Sequence, residues 1–239
     1  MRSERWCSVL CVNNIPNLFL PSENNLFEGD MILSNEQRLQ ILGGSETRGA
    51  HFLFRWPNGV VPYTIDWVLA REVEAKAAIA AAIKEWSSKT CIKFKERTNE
   101  SGYVTFRFGT GCSAEVGYQG RQQYVSLATG CWHMGTVAHE IGHALGFFHE
   151  QSRPDRDKFV RVLWYNIQQG RGSNFMKVKY IDSQGEPYDY DSLMHYGKTF
   201  FSKNGKPTLL PRKKGIEFGQ RERVSNGDAR QMNKMYSCF

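Results

Sequence analysis

Apolar positions along the chain fall into two periods. Ala75, Ile79, Ile83 and Trp86 recur at helical spacing in an alanine-rich stretch, which predicts a helix over residues 68–87. A second helix is predicted over 137–145 and is stopped by Gly146. Residues 92–95, 103–108 and 123–127 read as strands, the first two by clear alternation. Residues 60–65 read as a further strand, placed at a sheet edge because Pro62 has no N–H for a ladder. After 146 the chain is loop-rich until a short final helix over 228–236, with Asp228 as its N-cap. Helices and strands do not alternate regularly, so the fold class is α+β.

Residues 1–48 show no sustained period and are rich in Asn, Ser, Gly and Pro. Within them Ser34 and Gln37 have capping-box spacing, which predicts a short helix over 34–42 stopped by Gly43 and Gly44. Residues 43–49 read as an exposed linker with a cut site at Arg48. Two parts result: 1–48 as an extension and 49–239 as a folded domain.

Charge sharpens that division. The net charge is +7, yet residues 1–48 hold four Lys/Arg and six Asp/Glu, against 27 and 18 in the remainder. An acidic extension suits a basic domain. The basic residues form no run or aromatic-laced stripe, so no nucleic-acid partner is expected. No apolar run is long enough to span a membrane. Cys91, Cys112, Cys131 and Cys238 are spread through the domain, Cys7 and Cys11 sit apart, and none forms a C-x-x-C pair. Six cysteines suit an oxidising compartment, as does the sequon Asn99-Glu100-Ser101 between two predicted strands. Residues 7–12 are a short apolar stretch for a signal peptide, so either the signal is atypical or the sequence begins inside a precursor.

The chemistry concentrates in His139-Glu140-Ile141-Gly142-His143-Ala144-Leu145-Gly146-Phe147-Phe148-His149-Glu150. On a helix, positions i and i+4 share a face, so His139 and His143 present two imidazoles to one ion. Glu140 lies beside them, within reach of water at that ion. His149 supplies a third ligand if the chain turns sharply at Gly146. Three nitrogen ligands with a fourth position left for water are the pattern of catalytic zinc, one ion per chain.

The long H-E-x-x-H-x-x-G-x-x-H form followed by Glu150, together with Tyr188-Asp189-Tyr190-Asp191-Ser192-Leu193-Met194-His195-Tyr196, resembles the astacin family of metzincin endopeptidases. So do Arg153-Pro154-Asp155-Arg156-Asp157 and the segment from Gly111-Cys112 to Gly130-Cys131. The resemblance covers about 56–238. It implies a two-lobed domain with a mixed twisted sheet, an active-site helix and an irregular C-terminal lobe. His139, His143 and His149 would bind zinc, and Glu140 would be general base and then acid. Met194 would form a floor beneath the metal. Tyr196 would be a movable zinc ligand that swings away to stabilise the oxyanion. Disulfides Cys91–Cys238 and Cys112–Cys131 are implied in the same way. Peptide substrate would lie along an edge strand near 113–118, and Gly219-Gln220-Arg221 would help line the pocket after the scissile bond.

Phe27-Glu28-Gly29-Asp30 resembles the F-x-G-D motif of astacin pro-segments. Asp30 would then hold the zinc position that catalytic water needs, making 1–48 an inhibitory pro-segment removed by an activating protease. The new N-terminus would fold toward Glu150. The expectation is a secreted, monomeric zinc endopeptidase acting on protein or peptide substrates. A thermolysin-like site, a catalytically silent relative and a basic polyanion binder are the alternatives. His149, Glu140 and the absence of a basic stripe argue against each in turn.

Overall fold

Six short strands share one twisted sheet. The computed structural model describes residues 26–41 and 54–238. The strands are β1 (Met31–Ile32), β2 (Val60–Ile65), β3 (Lys93–Glu96), β4 (Tyr103–Arg107), β5 (Cys112–Glu115) and β6 (Gln122–Leu127). Their spatial order is β1-β5-β6-β4-β2-β3, and every pair is parallel except β5 with β6. Helices are α1 (Asn35–Ile41), α2 (Val73–Lys89), α3 (Met134–Ala144) and α4 (Asn226–Met235). A two-stranded ribbon, β7 (Val160–Val162) with β8 (Leu209–Pro211), belongs to the C-terminal half. The mixed sheet with separate helices is α+β, as the patterning implies.

The main core lies where α2 packs on α3 and α3 meets β5 and β6. Ala75, Ala78, Ile79, Ala82 and Trp86 form the buried stripe of α2. Trp86 is fully buried, and its indole N–H donates to Ala138 of α3 at 2.8 Å. That bond lets the largest side chain of the stripe enter the core without an unsatisfied donor. A second cluster around Phe175, Tyr188, Tyr196 and Leu209 fills the C-terminal half. Two disulfides are formed, Cys91–Cys238 and Cys112–Cys131, closing loops of 147 and 19 residues. On a chain-entropy account they stabilise by about 5 and 3 kcal/mol.

Several expectations need correction. Strand β2 is not at an edge, because β3 flanks it on one side and β4 on the other. Pairing with β4 begins only at Tyr63, so Pro62 lies opposite β3 alone, which is how a proline is accommodated there. The helix over 68–87 is a 3₁₀ turn (Leu69–Arg71) followed by α2, broken where Glu72 is extended. Asp228 does not cap α4. Ser225 is the N-cap, and Asp228 is the third helical residue, completing a capping box with it. Residues 26–41 are not structureless, since they contribute β1 and α1. The Ser34–Gln37 capping box is present, with bonds of 2.8 and 3.2 Å. Leu42 to Gly44, the Arg48–Gly49 cut, Cys7 and Cys11 lie outside the described residues. Among the described residues no helix is long and apolar enough to cross a membrane.

Asp228 instead ties two distant segments together. Its carboxylate accepts from Ser192 Oγ (2.7 Å), Leu193 N–H (2.8 Å) and Ser225 N–H (3.0 Å). All these groups are buried, so removing the acceptor strands several donors away from water. Asp228→Ala is expected to cost about 3 kcal/mol. For a domain of this size that lowers the midpoint of thermal unfolding by about 6–12 °C. A drop under about 2 °C, in thermal scans of both proteins, would remove Asp228 from this role.

Candidate metal centre

The site begins with the last turns of α3. His139 and His143, four residues apart, project from one face with ring centroids 4.7 Å apart. The helix then ends in a glycine cap. Gly146 takes φ +110°, its N–H donates to His143 O at 2.8 Å, and Phe147 N–H donates to Gly142 O at 2.9 Å. A side chain at 146 would be strained in that backbone. The reversal brings His149 back over the helix, with its ring centroid 5.3 Å from His139 and 4.7 Å from His143.

A fourth donor arrives from the N-terminal segment. Asp30 Oδ2 lies 3.1 Å from His139 Nε2 and 3.2 Å from His149 Nε2, while Oδ1 lies 3.6 Å from His143 Nε2. His139 Nε2 and His143 Nε2 are 3.2 Å apart. All four ligand atoms fall within 4.8 Å of one another. A tetrahedron with Zn–N distances of about 2.0–2.1 Å has edges of about 3.3 Å, so the set fits one zinc ion. The donors also suit it, three imidazoles and a carboxylate.

The ligands are aimed by bonds on their far side. His139 Nδ1 donates to Leu193 O at 2.9 Å, and His143 Nδ1 donates to Phe147 O at 2.8 Å. His149 Nδ1 donates to the carboxylate of Glu28 at 2.7 Å. Each bond leaves Nε2 as the free lone pair. Burial holds His139 well below the ordinary histidine range and lowers His143 as well, keeping both unprotonated as ligands must be. Burial would raise Asp30, but its contacts with His149, His143 and His139 outweigh it and hold its carboxyl well below the usual range.

Glu140 follows His139 on α3 and is 1% exposed, with Oε2 meeting no donor among the described residues. Burial pushes its carboxyl well above the usual carboxylate range, and the charge of Asp30 adds to the effect. Met194 is buried, and its Sδ lies 2.7 Å from where a Cβ on Gly142 would stand, so α3 and the 192–194 turn approach this closely only over glycine. The same turn carries Leu193 O to His139 and Met194 O to Glu150 N–H. Glu150 is paired, accepting from Arg153 and from Asp189 N–H, with burial raising its carboxyl to about 8.

Tyr196 packs edge-on against His149, but its hydroxyl donates to the backbone carbonyl of Glu28. The outer edge of β5, where the resemblance places substrate, carries β1 instead, with Met31 opposite Ala114 and Ile32 opposite Glu115. Three residues gain weight from the structure. Glu28 stands in the F-x-G-D motif, whose pattern leaves its side chain free. Arg221 is half-buried, donates to His195 O, and exerts its charge on Glu140 and His139. Asp228 carried only a capping role in the sequence. Of the other histidines, His195 is buried and hydrogen-bonded to Tyr188, and His133 is exposed.

Comparison with known proteins agrees with this geometry. The family model described as Astacin, a peptidase family, matches residues 50–237. Zinc metalloproteinase nas-4 of Caenorhabditis elegans is 41% identical over 225 residues, covering 91% of this chain and 71% of that protein. Zinc metalloproteinase nas-14 of the same organism is 45% identical over 189 residues, covering 77% of this chain but 37% of its own length. Among solved structures, high choriolytic enzyme 1, a hatching-enzyme zinc protease from Oryzias latipes, superposes with a TM-score of 0.72 at 38% identity, covering 77% of this chain and 94% of that one. With a three-histidine zinc site and a family match over most of its length, the chain belongs to the astacin family of zinc metalloproteases.

Proposed function

We propose that the chain is a secreted zinc endopeptidase held latent by its own N-terminal segment, with 1–48 as the pro-segment and 49–239 as the catalytic domain. The observation that carries this reading is Asp30, whose carboxylate stands at the fourth corner of the histidine set. Strand β1 supports it from a second direction, since it covers the β5 edge along which a peptide would pair. A cut near Arg48 by an activating protease would release both contacts.

Zinc, when bound, supplies Lewis acidity that polarises the scissile carbonyl and lowers the pKa of water toward ~7. The protein's groups do the rest. Glu140, next to the ligands and with a raised pKa, accepts the proton of the attacking water and returns it to the leaving amine. Tyr196, freed from the Glu28 carbonyl, has a hydroxyl available to ligate or to donate to the oxyanion. Met194 packs beneath α3 and stiffens the site. The new N-terminus would approach Glu150, whose buried carboxyl then gains a cation besides Arg153. Export is supported by the two disulfides and by Asn99, exposed between β3 and β4. The domain is proposed to act as a monomer on protein substrates.

The test is hydrolysis of casein by the intact and the cut chain, with and without a zinc chelator. Hydrolysis should appear on cutting, vanish with the chelator and return with zinc. Hydrolysis indifferent to the chelator would overturn the proposal.

Selectivity follows from Arg221. Its half-buried guanidinium lies close enough to Glu140 and Asp30 to feel their charges. A side chain just after the scissile bond would share that field, so Asp or Glu should be preferred there. Removing one charge-assisted bond costs about 1.5–3 kcal/mol, or roughly tenfold or more. Peptide-library profiling should show acidic enrichment that Arg221→Gln lowers by about that factor. Equal profiles in the two proteins would reject it.

A further inference from the structure

The three histidines are not supported alike. His139 and His143 give their Nδ1 protons to backbone carbonyls of Leu193 and Phe147, both in the catalytic domain. His149 gives its proton to a carboxylate, and that carboxylate belongs to Glu28 of the N-terminal segment, 121 residues away in sequence. One cut therefore removes two groups from the centre, Asp30 that faces the ion and Glu28 behind a ligand.

Glu28 is placed there at a cost. Its φ is +51°, in the left-handed region that side chains other than glycine rarely adopt, and Gly29 follows at +94°. The residue is 2% exposed and its Oε1 meets no donor among the described residues. A buried carboxylate is unfavourable unless strongly paired. Its hydrogen-bond partner is His149 Nδ1, at 2.7 Å, with the Ser152 side chain nearby. With a metal on Nε2 the imidazole must carry its proton on Nδ1, and the metal's charge makes that N–H a stronger donor. A carboxylate behind an imidazole fixes the tautomer, orients the ring and raises its basicity toward the metal.

We propose that Glu28 is a positioning residue for His149, and that the N-terminal segment thereby retains zinc in the intact chain more firmly than the cut enzyme does. The segment is then a metal-holding device as well as a plug. This rests on the reading of residues 26–41 as the inhibitory segment, and it adds a role that Asp30 alone does not supply. Zinc is captured and kept while the chain is intact, and the enzyme becomes vulnerable to zinc loss once it is activated.

The experiment uses the full-length chain, loaded with zinc, as wild type, Glu28→Gln and Glu28→Ala. Zinc transfer to a coloured chelator is timed, and the His149 Nδ1–H resonance is followed by proton NMR. Loss of an outer-shell partner typically costs about 10–100-fold in metal affinity, so Glu28→Ala should release zinc about that much faster. Glu28→Gln should fall between, because an amide oxygen still accepts the proton without a charge. The downfield Nδ1–H signal should move upfield in Glu28→Gln and vanish in Glu28→Ala. Cutting each folded protein removes residue 28, so all three must then give the same enzyme, which separates this effect from misfolding.

Equal release rates in the three intact proteins would overturn the proposal. Casein hydrolysis by intact Glu28→Gln at the rate of the cut enzyme would also overturn it, by making Glu28 a simple anchor of the segment. Faster zinc release from an intact Glu28→Gln chain that stays inactive supports it. The underlying latency reading fails separately, on hydrolysis by the intact wild type, whatever the zinc-release rates prove to be.

Discussion

Glu140→Gln removes peptide hydrolysis from the cut chain, by about a thousandfold or more in kcat/KM, and leaves zinc in place. The glutamine keeps the shape of the side chain and loses only the ability to take a proton. Proton transfer by one positioned group contributes about 10²–10⁴-fold, and here the same group serves the attack and the departure of the amine. Zinc remains because Glu140 is not among the proposed ligands His139, His143 and His149, and the first two keep their backbone-carbonyl partners in the cut chain. Metal analysis and turnover on one sample decide the matter. Activity within about tenfold of the wild type, with zinc bound, would assign the proton to another group.

Asp30→Ala turns the intact chain into a partly active peptidase without any cut. In the wild type, Asp30 and catalytic water compete for one position, and the tether gives the carboxylate an effective concentration of about the millimolar range or above. Occupancy is then nearly complete, and the intact wild type should show under about 1% of the cut enzyme's rate. Alanine opens the position, but β1 still lies on β5 and the Glu28 carbonyl still holds the Tyr196 hydroxyl. The rate should therefore rise at least about tenfold and stop short of the cut enzyme. Cutting the variant should bring it to the wild-type cut rate, since residue 30 is then gone. An Asp30→Ala chain as silent as the wild type would place the block in the β-pairing alone.

Local chemistry was legible and long-range partnership was not. The Ser34–Gln37 capping box, the i, i+4 histidines and the turn at Gly146 are set by residues within a few positions of one another, and each takes the expected form. Strand β1 could not be read, because two residues carry no period and pair with β5 more than eighty residues later. Pro62 misled for a related reason. A missing N–H forbids one bond, and β2 satisfies the rule by pairing one half of the strand on one side only. Asp228 was given a local role when its partners are Ser192 and Leu193, brought near only by the fold. Glu28 meets His149 across the same kind of distance, and its motif neighbours Gly29 and Asp30 drew the attention.

The sheet's outermost strand is borrowed from the part of the chain proposed to leave. When it does, the row of N–H and C=O groups on the outer side of β5 is bared. An open edge is a template for any extended chain, substrate and stray neighbour alike, and is a recognised route to self-association. Two features blunt the hazard. Strand β5 is only four residues long, and Cys112 at its start is pinned to Cys131. On the latency reading, the intact chain is expected to be the more soluble form. At high concentration the activated enzyme should sediment as a mixture of monomer and larger species that an extended peptide ligand reverses to monomer.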